Sequence, residues 1–313
     1  MKYPKPLRLG DTIAIVAPAT EVKAQYVTEA AEFLRCEGYE VIIAPHCLGA
    51  VSGTYAATRE QRLEDFIDAL ENPEVRCILC ARGGYGCVQL IGDIPANLLE
   101  KDPKWIVGFS DVSALHALMQ TNGIASLHAG MAKHLAESPF GDPSVTAFLD
   151  ILKGEKTLTY NFDCQADGLE TLTPGQVSGT LRGGNFAVLD ALAATPFDIL
   201  CADSDEDVIL FLEDVGENIY KVDRMLWRLH LAGVLDRVKG LIFCEFNSYK
   251  PDKNHETMED MIALRMKQWH VDCPAVMRFP VGHEDGRNFP LVEGCHATIS
   301  ATFENVTLTQ ELI

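Results

Sequence analysis

Four short apolar runs, at residues 13–17, 41–44, 77–81 and 105–109, alternate with longer stretches in which apolar residues recur at helical spacing. This alternation constrains the fold more than any other feature of the chain. A strand that lies parallel to its predecessor needs a crossover of a dozen or more residues, and a helix is the usual one. The N-terminal part therefore reads as βαβ units around a parallel sheet. Crossover helices are expected over 22–37, closed by Gly38, and over 59–70, opened by Thr58 as N-cap. Further helices fit 111–121 and 143–152.

At 313 residues the chain exceeds the roughly 250 to 300 at which one hydrophobic core stops growing, so two domains are expected. The stretch 161–175 is polar, rich in Asp and Thr, and closed by Pro174-Gly175. Such a stretch is expected as a linker between domains at 1–160 and 176–313. In the second domain, 208–212, 241–244, 297–301 and 306–309 read as strands, and fewer helices intervene. The strongest helix there is 218–231, where Ile219, Val222, Leu226 and Leu229 share a face. The fold class is thus α/β: an N-terminal parallel-sheet domain and a smaller β-rich α+β C-terminal domain.

Hydrophobic residues at 47% allow sizeable cores. A formal net charge of -19 removes the electrostatic attraction that dominates nucleic-acid binding and repels anionic lipid, so neither partner is expected. The apolar stretch 13–17 is too short for a signal h-region, which together with the lack of a span implies a cytoplasmic protein. Ten scattered cysteines then read as reduced thiols. Cys77 and Cys80 form one tight pair, but it lies in a strand pattern without a second such pair. With no H-E-x-x-H or comparable spacing, no metal and no cofactor are expected.

The run 105–107 leads through Gly108-Phe109 into Ser110-Asp111 and straight on into a helical pattern. A serine at such a turn exposes its hydroxyl beside N–H groups and a helix dipole that stabilise negative charge. Helix capping by Ser110 or Asp111 explains the same residues equally simply. Arg82-Gly83-Gly84-Tyr85-Gly86 follows the strand 77–81, at the carboxyl end where parallel sheets bind ligands. It is either a loop for close backbone approach to a ligand, with Arg82 for a carboxylate, or an ordinary tight turn. Glu213 ends the run 208–212, where a carboxylate can orient a histidine or simply meet solvent. Of nine histidines, His283 stands in the loop Pro280-Val-Gly-His283-Glu-Asp-Gly286, where an imidazole suits a general base. His116 falls inside a helix, His230 and His270 near helix ends, and His128 is open to either reading.

Taken in order, these blocks resemble the LD-carboxypeptidase family of serine peptidases, which includes the microcin C immunity hydrolases. Gly53-Thr-Tyr-Ala-Ala57 with Arg59 and Arg62, the loop 82–86, Gly108-Phe-Ser-Asp111, Arg182-Gly-Gly-Asn185, Leu212-Glu-Asp214 with Tyr220 and Asp223-Arg224, and Pro280-Val-Gly-His283 carry the resemblance. It implies Ser110 as nucleophile, His283 as base and Glu213 as the carboxylate behind the imidazole. It places oxyanion donors at the Asp111 N–H and in the glycine loop, with Gly84 preferred to Gly83, and it makes Arg82, Gly83 and Tyr85 substrate-binding. It further implies a flavodoxin-like or Rossmann-like first domain, an active site where the domains meet, a muropeptide substrate and a homodimer. His128-Ala-Gly-Met131 and Pro18-Ala19 depart from the family's usual His-Gly-Pro-Met and Pro-Ser. Those departures bear on the pocket wall rather than on the three catalytic groups.

Overall fold

The structure, a computed structural model, describes residues 1–49, 54–138, 140–201, 206–283 and 288–312. Gly53 of the first block and Glu284, Asp285 and Gly286 after His283 lie outside the described residues. The chain divides into two compact units, one of Met1–Lys156, Phe289–Gly294 and Leu312–Ile313, the other of Thr157–Asn288 and Cys295–Glu311.

The first unit alternates strands and helices in the expected way: β1 (Thr12–Val16), α1 (Ala24–Cys36), β2 (Glu40–Ile43), α2 (Arg59–Glu71), β3 (Val75–Cys80), α3 (Ala96–Lys101), β4 (Trp105–Gly108), α4 (Ser113–Thr121), β5 (Ser126–His128), α5 (Ala132–Glu137) and α6 (Pro143–Lys153). Its sheet runs β2-β1-β3-β4-β5, all parallel, and is completed by an antiparallel strand, β12 (Leu291–Glu293), returned from late in the chain. Parallel strands covered by helices on both faces read as unbroken apolar runs, and β1 and β4 are buried at every residue. Thr58 opens α2 with a complete capping box to Gln61. Gly38, at φ 92, supplies the left-handed turn after α1.

The second unit holds β6 (Thr157–Asp163), α7 (Cys164–Asp167), β7 (Glu170–Thr173), β8 (Gly175–Asn185), α8 (Phe186–Asp190), β9 (Val208–Val215), α9 (Ile219–Leu231), β10 (Gly240–Asn247), α10 (Met258–Gln268), β11 (Ala275–Met277), β13 (His296–Ala301) and β14 (Asn305–Glu311). Its eight strands run β6-β14-β13-β8-β9-β10-β11-β7, parallel from β8 to β11 and antiparallel elsewhere. The long β8 joins the two halves, pairing with β13 over its first six residues and with β9 over its last six. The stretch 161–175, expected as a linker, holds the end of β6, α7 and β7, and β6 and β7 are the two outer strands of the sheet order. Residues 157–163 alternate exposed with less exposed positions, a pattern that docks β6 on β14. All ten cysteines are unpaired thiols, and burial pushes the thiols of Cys77 and Cys80 well up from their usual range.

Candidate active site

In the first unit, β4 ends at Gly108 and the chain turns through Ser110 into α4. A side chain at 108 would meet both methyls of Val112 at 2.9 Å, so the residue before the turn has to be glycine. Ser110 itself sits at φ 63, a left-handed conformation that costs a non-glycine residue energy and is kept where the surroundings enforce it. The enforcement lies beneath the turn. His116 Nε2 bonds the carbonyl of Gly108 at 2.9 Å and its Nδ1 bonds Ser126 Oγ at 2.9 Å. Burial holds this imidazole down at about 4, so it is neutral: Nε2–H donates to the carbonyl and Nδ1 accepts from the serine. His116, His128 and Glu293 bring donor atoms within 4.8 Å of one another. With both His116 nitrogens engaged, the cluster is hydrogen-bonded packing under the serine turn.

Over the same turn runs the glycine loop. A Cβ on Gly83 would lie 3.0 Å from Ser110 Cβ and 3.2 Å from its Oγ, so only glycine lets the loop backbone approach the hydroxyl this closely. Gly84, at φ 104, presses on Thr20, whose Oγ1 accepts the N–H of Tyr85 at 3.0 Å. The N–H of Cys87 goes to Asp111 Oδ2 at 2.8 Å. Among the described residues, the N–H groups of Gly83, Gly84 and Asp111 have no acceptor. Two loop donors and one at the helix start are therefore uncommitted, and the loop meets the Ser110 hydroxyl at Gly83. Asp111 does more than cap a helix: its carboxylate, 3% exposed, reaches across to the loop. Arg82 spends one N–H on the carbonyl of Glu21 at 2.9 Å and remains exposed. Tyr85 is 56% exposed, its ring 6.1 Å from that of Tyr55.

In the second unit, Glu213 lies near the carboxyl end of β9 and His283 in the loop after β11. These strands are parallel and share, with β10 between them, one carboxyl edge. His283 Nδ1 bonds Glu213 Oε2 at 2.9 Å, and Glu213 is 0% exposed. Burial works to lower the histidine's pKa, but the charge of Glu213, the hydrogen bond to it and the charge of Asp214 outweigh burial and hold it above 6.5. With Nδ1–H donated to the carboxylate, Nε2 is left with its lone pair, the arrangement a general base requires. Gly282, at φ 146, packs against Glu245, and its N–H bonds Asn288 Oδ1 at 3.2 Å, which fixes the approach to His283. Asp214 turns the other way. It accepts the N–H groups of Val215 and Ala187 at 2.8 and 2.9 Å, tying β9 to the first turn of α8. Its pKa is pushed up to about 7 by burial and by the neighbouring Glu213 charge.

The structure thus sets Ser110, Asp111, Gly83 and Gly84 together in one unit and pairs Glu213 with His283 in the other. Residues 13–129 match the model of the LD-carboxypeptidase N-terminal domain, and residues 178–299 that of the LD-carboxypeptidase C-terminal domain. The chain belongs to the LD-carboxypeptidase family. It is 31% identical over 281 residues to a probable murein peptide carboxypeptidase of Bacillus subtilis, covering 90% of this chain and 86% of that one. A solved muramoyltetrapeptide carboxypeptidase from Oxalobacter formigenes superimposes with a TM-score of 0.83 at 25% identity, over 96% of this chain and 98% of that one. The microcin C7 self-immunity protein MccF of Escherichia coli is 25% identical over 267 residues, 76% of each chain.

Roles that sequence reasoning missed belong to the Asp111 side chain, Arg62, His116 and Asp214. For the first, the signal was a carboxylate directly after the serine and three glycines 24 or more residues earlier. Nothing local in the chain says that the two meet.

Proposed function

We propose that the protein is a serine LD-carboxypeptidase that releases terminal D-alanine from murein tetrapeptides, acting on muropeptides in the cytoplasm as a homodimer. The observation that carries the reading is the fully buried Glu213 on Nδ1 of His283, which leaves a basic nitrogen with a raised pKa. Ser110 is assigned as the nucleophile of the same triad. Its Oγ attacks the carbonyl carbon of the third residue while its proton passes to His283 Nε2. The N–H groups of Asp111 and Gly84 stabilise the oxyanion, with Gly83 lining the approach. Collapse breaks the C–N bond, and the proton on His283 goes to the leaving amine of D-alanine. Water, deprotonated by the same imidazole, then hydrolyses the ester. Arg82, with the remaining donors of its guanidinium, and Tyr85 are assigned to the substrate's terminal carboxylate and peptide body. Among the described residues no helix is long and apolar enough to cross a membrane.

A second reading, cleavage of a peptidyl nucleotide amide, is favoured by one feature, the exposed Tyr85 ring beside Tyr55, on which a base could stack. The two are separated by incubating purified protein with L-Ala-γ-D-Glu-meso-diaminopimelate-D-Ala and with a peptidyl nucleotide amide, followed by chiral amino-acid and nucleotide analysis. Release of D-alanine supports the carboxypeptidase. Nucleotide release without D-alanine supports the second reading, and turnover of neither contradicts both.

A further inference from the structure

Two buried charges grip a single peptide group of the glycine loop. The peptide joining Gly86 to Cys87 has its N–H on Asp111 Oδ2 at 2.8 Å and its carbonyl on Arg62 Nη1 at 3.2 Å. In a trans peptide these groups point in opposite directions, so holding both fixes the plane of the unit. Arg62, 2% exposed, is itself immobilised: Nη1 bonds the carbonyl of Pro18 at 2.5 Å, Nε that of Ala57 at 3.3 Å, and Nη2 bonds Gln89 Oε1 at 2.6 Å, with the guanidinium 4.8 Å from the Tyr55 ring. Gly86 has no room for a side chain: at φ 149 a Cβ would lie 2.5 Å from Arg62 Nη1 and 2.9 Å from Ala19 Cα.

The bookkeeping of loop N–H groups shows what the grip achieves. Tyr85 donates to Thr20 and Cys87 to Asp111. Among the described residues the N–H groups of Gly83, which lies against Ser110, and of Gly84 are uncommitted. So is the main-chain N–H of Asp111, whose side chain holds the loop. Burying an arginine and an aspartate costs desolvation that apolar residues of similar volume would not, so stability alone is a poor reason to have them here. We propose that the Asp111 carboxylate and the Arg62 guanidinium are positioning residues that hold the loop N–H donor at a fixed distance from the Asp111 N–H, so that the oxyanion hole exists before substrate arrives. This rests on the serine acyl-transfer reading above.

The test uses the full-length enzyme and Asp111→Asn, Arg62→Lys and the double variant, assayed for D-alanine release. Loss of pre-organisation weakens a donor rather than deleting it. The expected fall in kcat for each single variant is therefore about 10- to 100-fold, below the 10²–10³ of a removed donor, with KM within about twofold. Because both side chains act on one peptide, the double variant is expected to fall no further than the worse single one. Affinity for a peptide aldehyde, which forms a tetrahedral adduct on Ser110, drops in step with kcat while affinity for the product tripeptide does not. Parent kcat in a folded Asp111→Asn or Arg62→Lys enzyme overturns the inference, as does a loss of kcat that only tracks the fraction unfolded in thermal melts. If Asp111→Asn fails to fold, Arg62→Lys, which keeps the charge and loses the fork, decides alone. If the parent releases no D-alanine, the fault lies with the proposed function. Phosphonylation of Ser110 by a fluorophosphonate, whose P=O oxygen needs the same donors, then compares the variants, and equal rates overturn the inference.

Discussion

Replacing Glu213 by glutamine keeps the side chain's shape and removes its charge from a fully buried position 2.9 Å from His283 Nδ1. The parent histidine titrates above 6.5 because that charge and its hydrogen bond, with the charge of Asp214, outweigh the burial of the ring. A hydrogen bond to a charged group contributes about 1.5 to 3 kcal/mol, enough for its loss to move the titration of the ring measurably. In Glu213→Gln burial is opposed only by the charge of Asp214, so His283 should titrate lower than in the parent. The imidazolium of the transition state loses its support as well, and the plateau rate should fall by up to on the order of 10⁴-fold. Profiles of kcat/KM against pH between 4.5 and 9 read both effects. The parent's acid limb should have its midpoint above 6.5 and the variant's should move to lower pH under a lower plateau. A parent-like limb in the variant would refute the idea that Glu213 sets the state of His283. Stability gives an independent check. The raised pKa of a histidine stabilises the fold fully below the unfolded value and ceases to do so as pH rises through the folded one, so this increment, present in the parent below pH 6.5, should shrink in the variant.

Three further outcomes follow from particular contacts. Gly83→Ala places a Cβ 3.0 Å from Ser110 Cβ at a backbone conformation alanine can adopt, so the variant should melt within a few degrees of the parent yet lose at least about tenfold in kcat; full activity by D-alanine release would contradict the close approach of loop and nucleophile. Asp214, whose folded pKa stands near 7 against an unfolded 3.8, should make the parent lose stability as pH rises from about 4 to 7, and urea melts of Asp214→Asn should lack that part of the slope. Its charge also helps to raise His283, so the same variant should move the acid limb of activity slightly to lower pH. Lys104 is 1% exposed and its Nζ donates to the carbonyls of Ala69 and Asn72 where α2 ends, so Lys104→Met should lose about 1 to 3 kcal/mol in urea unfolding with unchanged activity per folded molecule.

Much of the first unit was legible because its inner strands, β1, β3 and β4, are almost wholly buried and its helices carry ordinary end signals, as Thr58 and Gly38 show. The strands that escaped are those whose information is not local. β5 and β12 are three residues each and exist through their pairing, Leu291 opposite His128. β8 contains Gly179, Gly183 and Gly184, which weaken a strand pattern, yet a Cβ on Gly183 would strike the carbonyl of Phe211 at 1.8 Å, so the neighbouring β9 demands the glycine. The Asp- and Thr-rich stretch 161–175 looked like a linker because a half-exposed edge strand and a polar loop share a composition. At the site, Ser110, Glu213 and His283 drew notice at element ends or in a loop, with ordinary structural readings open beside the chemical ones for the first two, and their triad roles came from the family resemblance. Their supports drew no such notice: His116 beneath the turn and Arg62 behind the loop look, in sequence, like one more helical histidine and one more surface arginine.

The central claim, that Ser110 is a nucleophile activated by His283, is tested most directly by intact-mass and peptide mapping of the enzyme after treatment with a fluorophosphonate, alongside Ser110→Ala and His283→Ala. The account predicts one adduct per chain in the parent, located on Ser110, absent in Ser110→Ala and strongly slowed in His283→Ala, with D-alanine release lost in parallel. An adduct on another residue, or undiminished D-alanine release by Ser110→Ala, would contradict it.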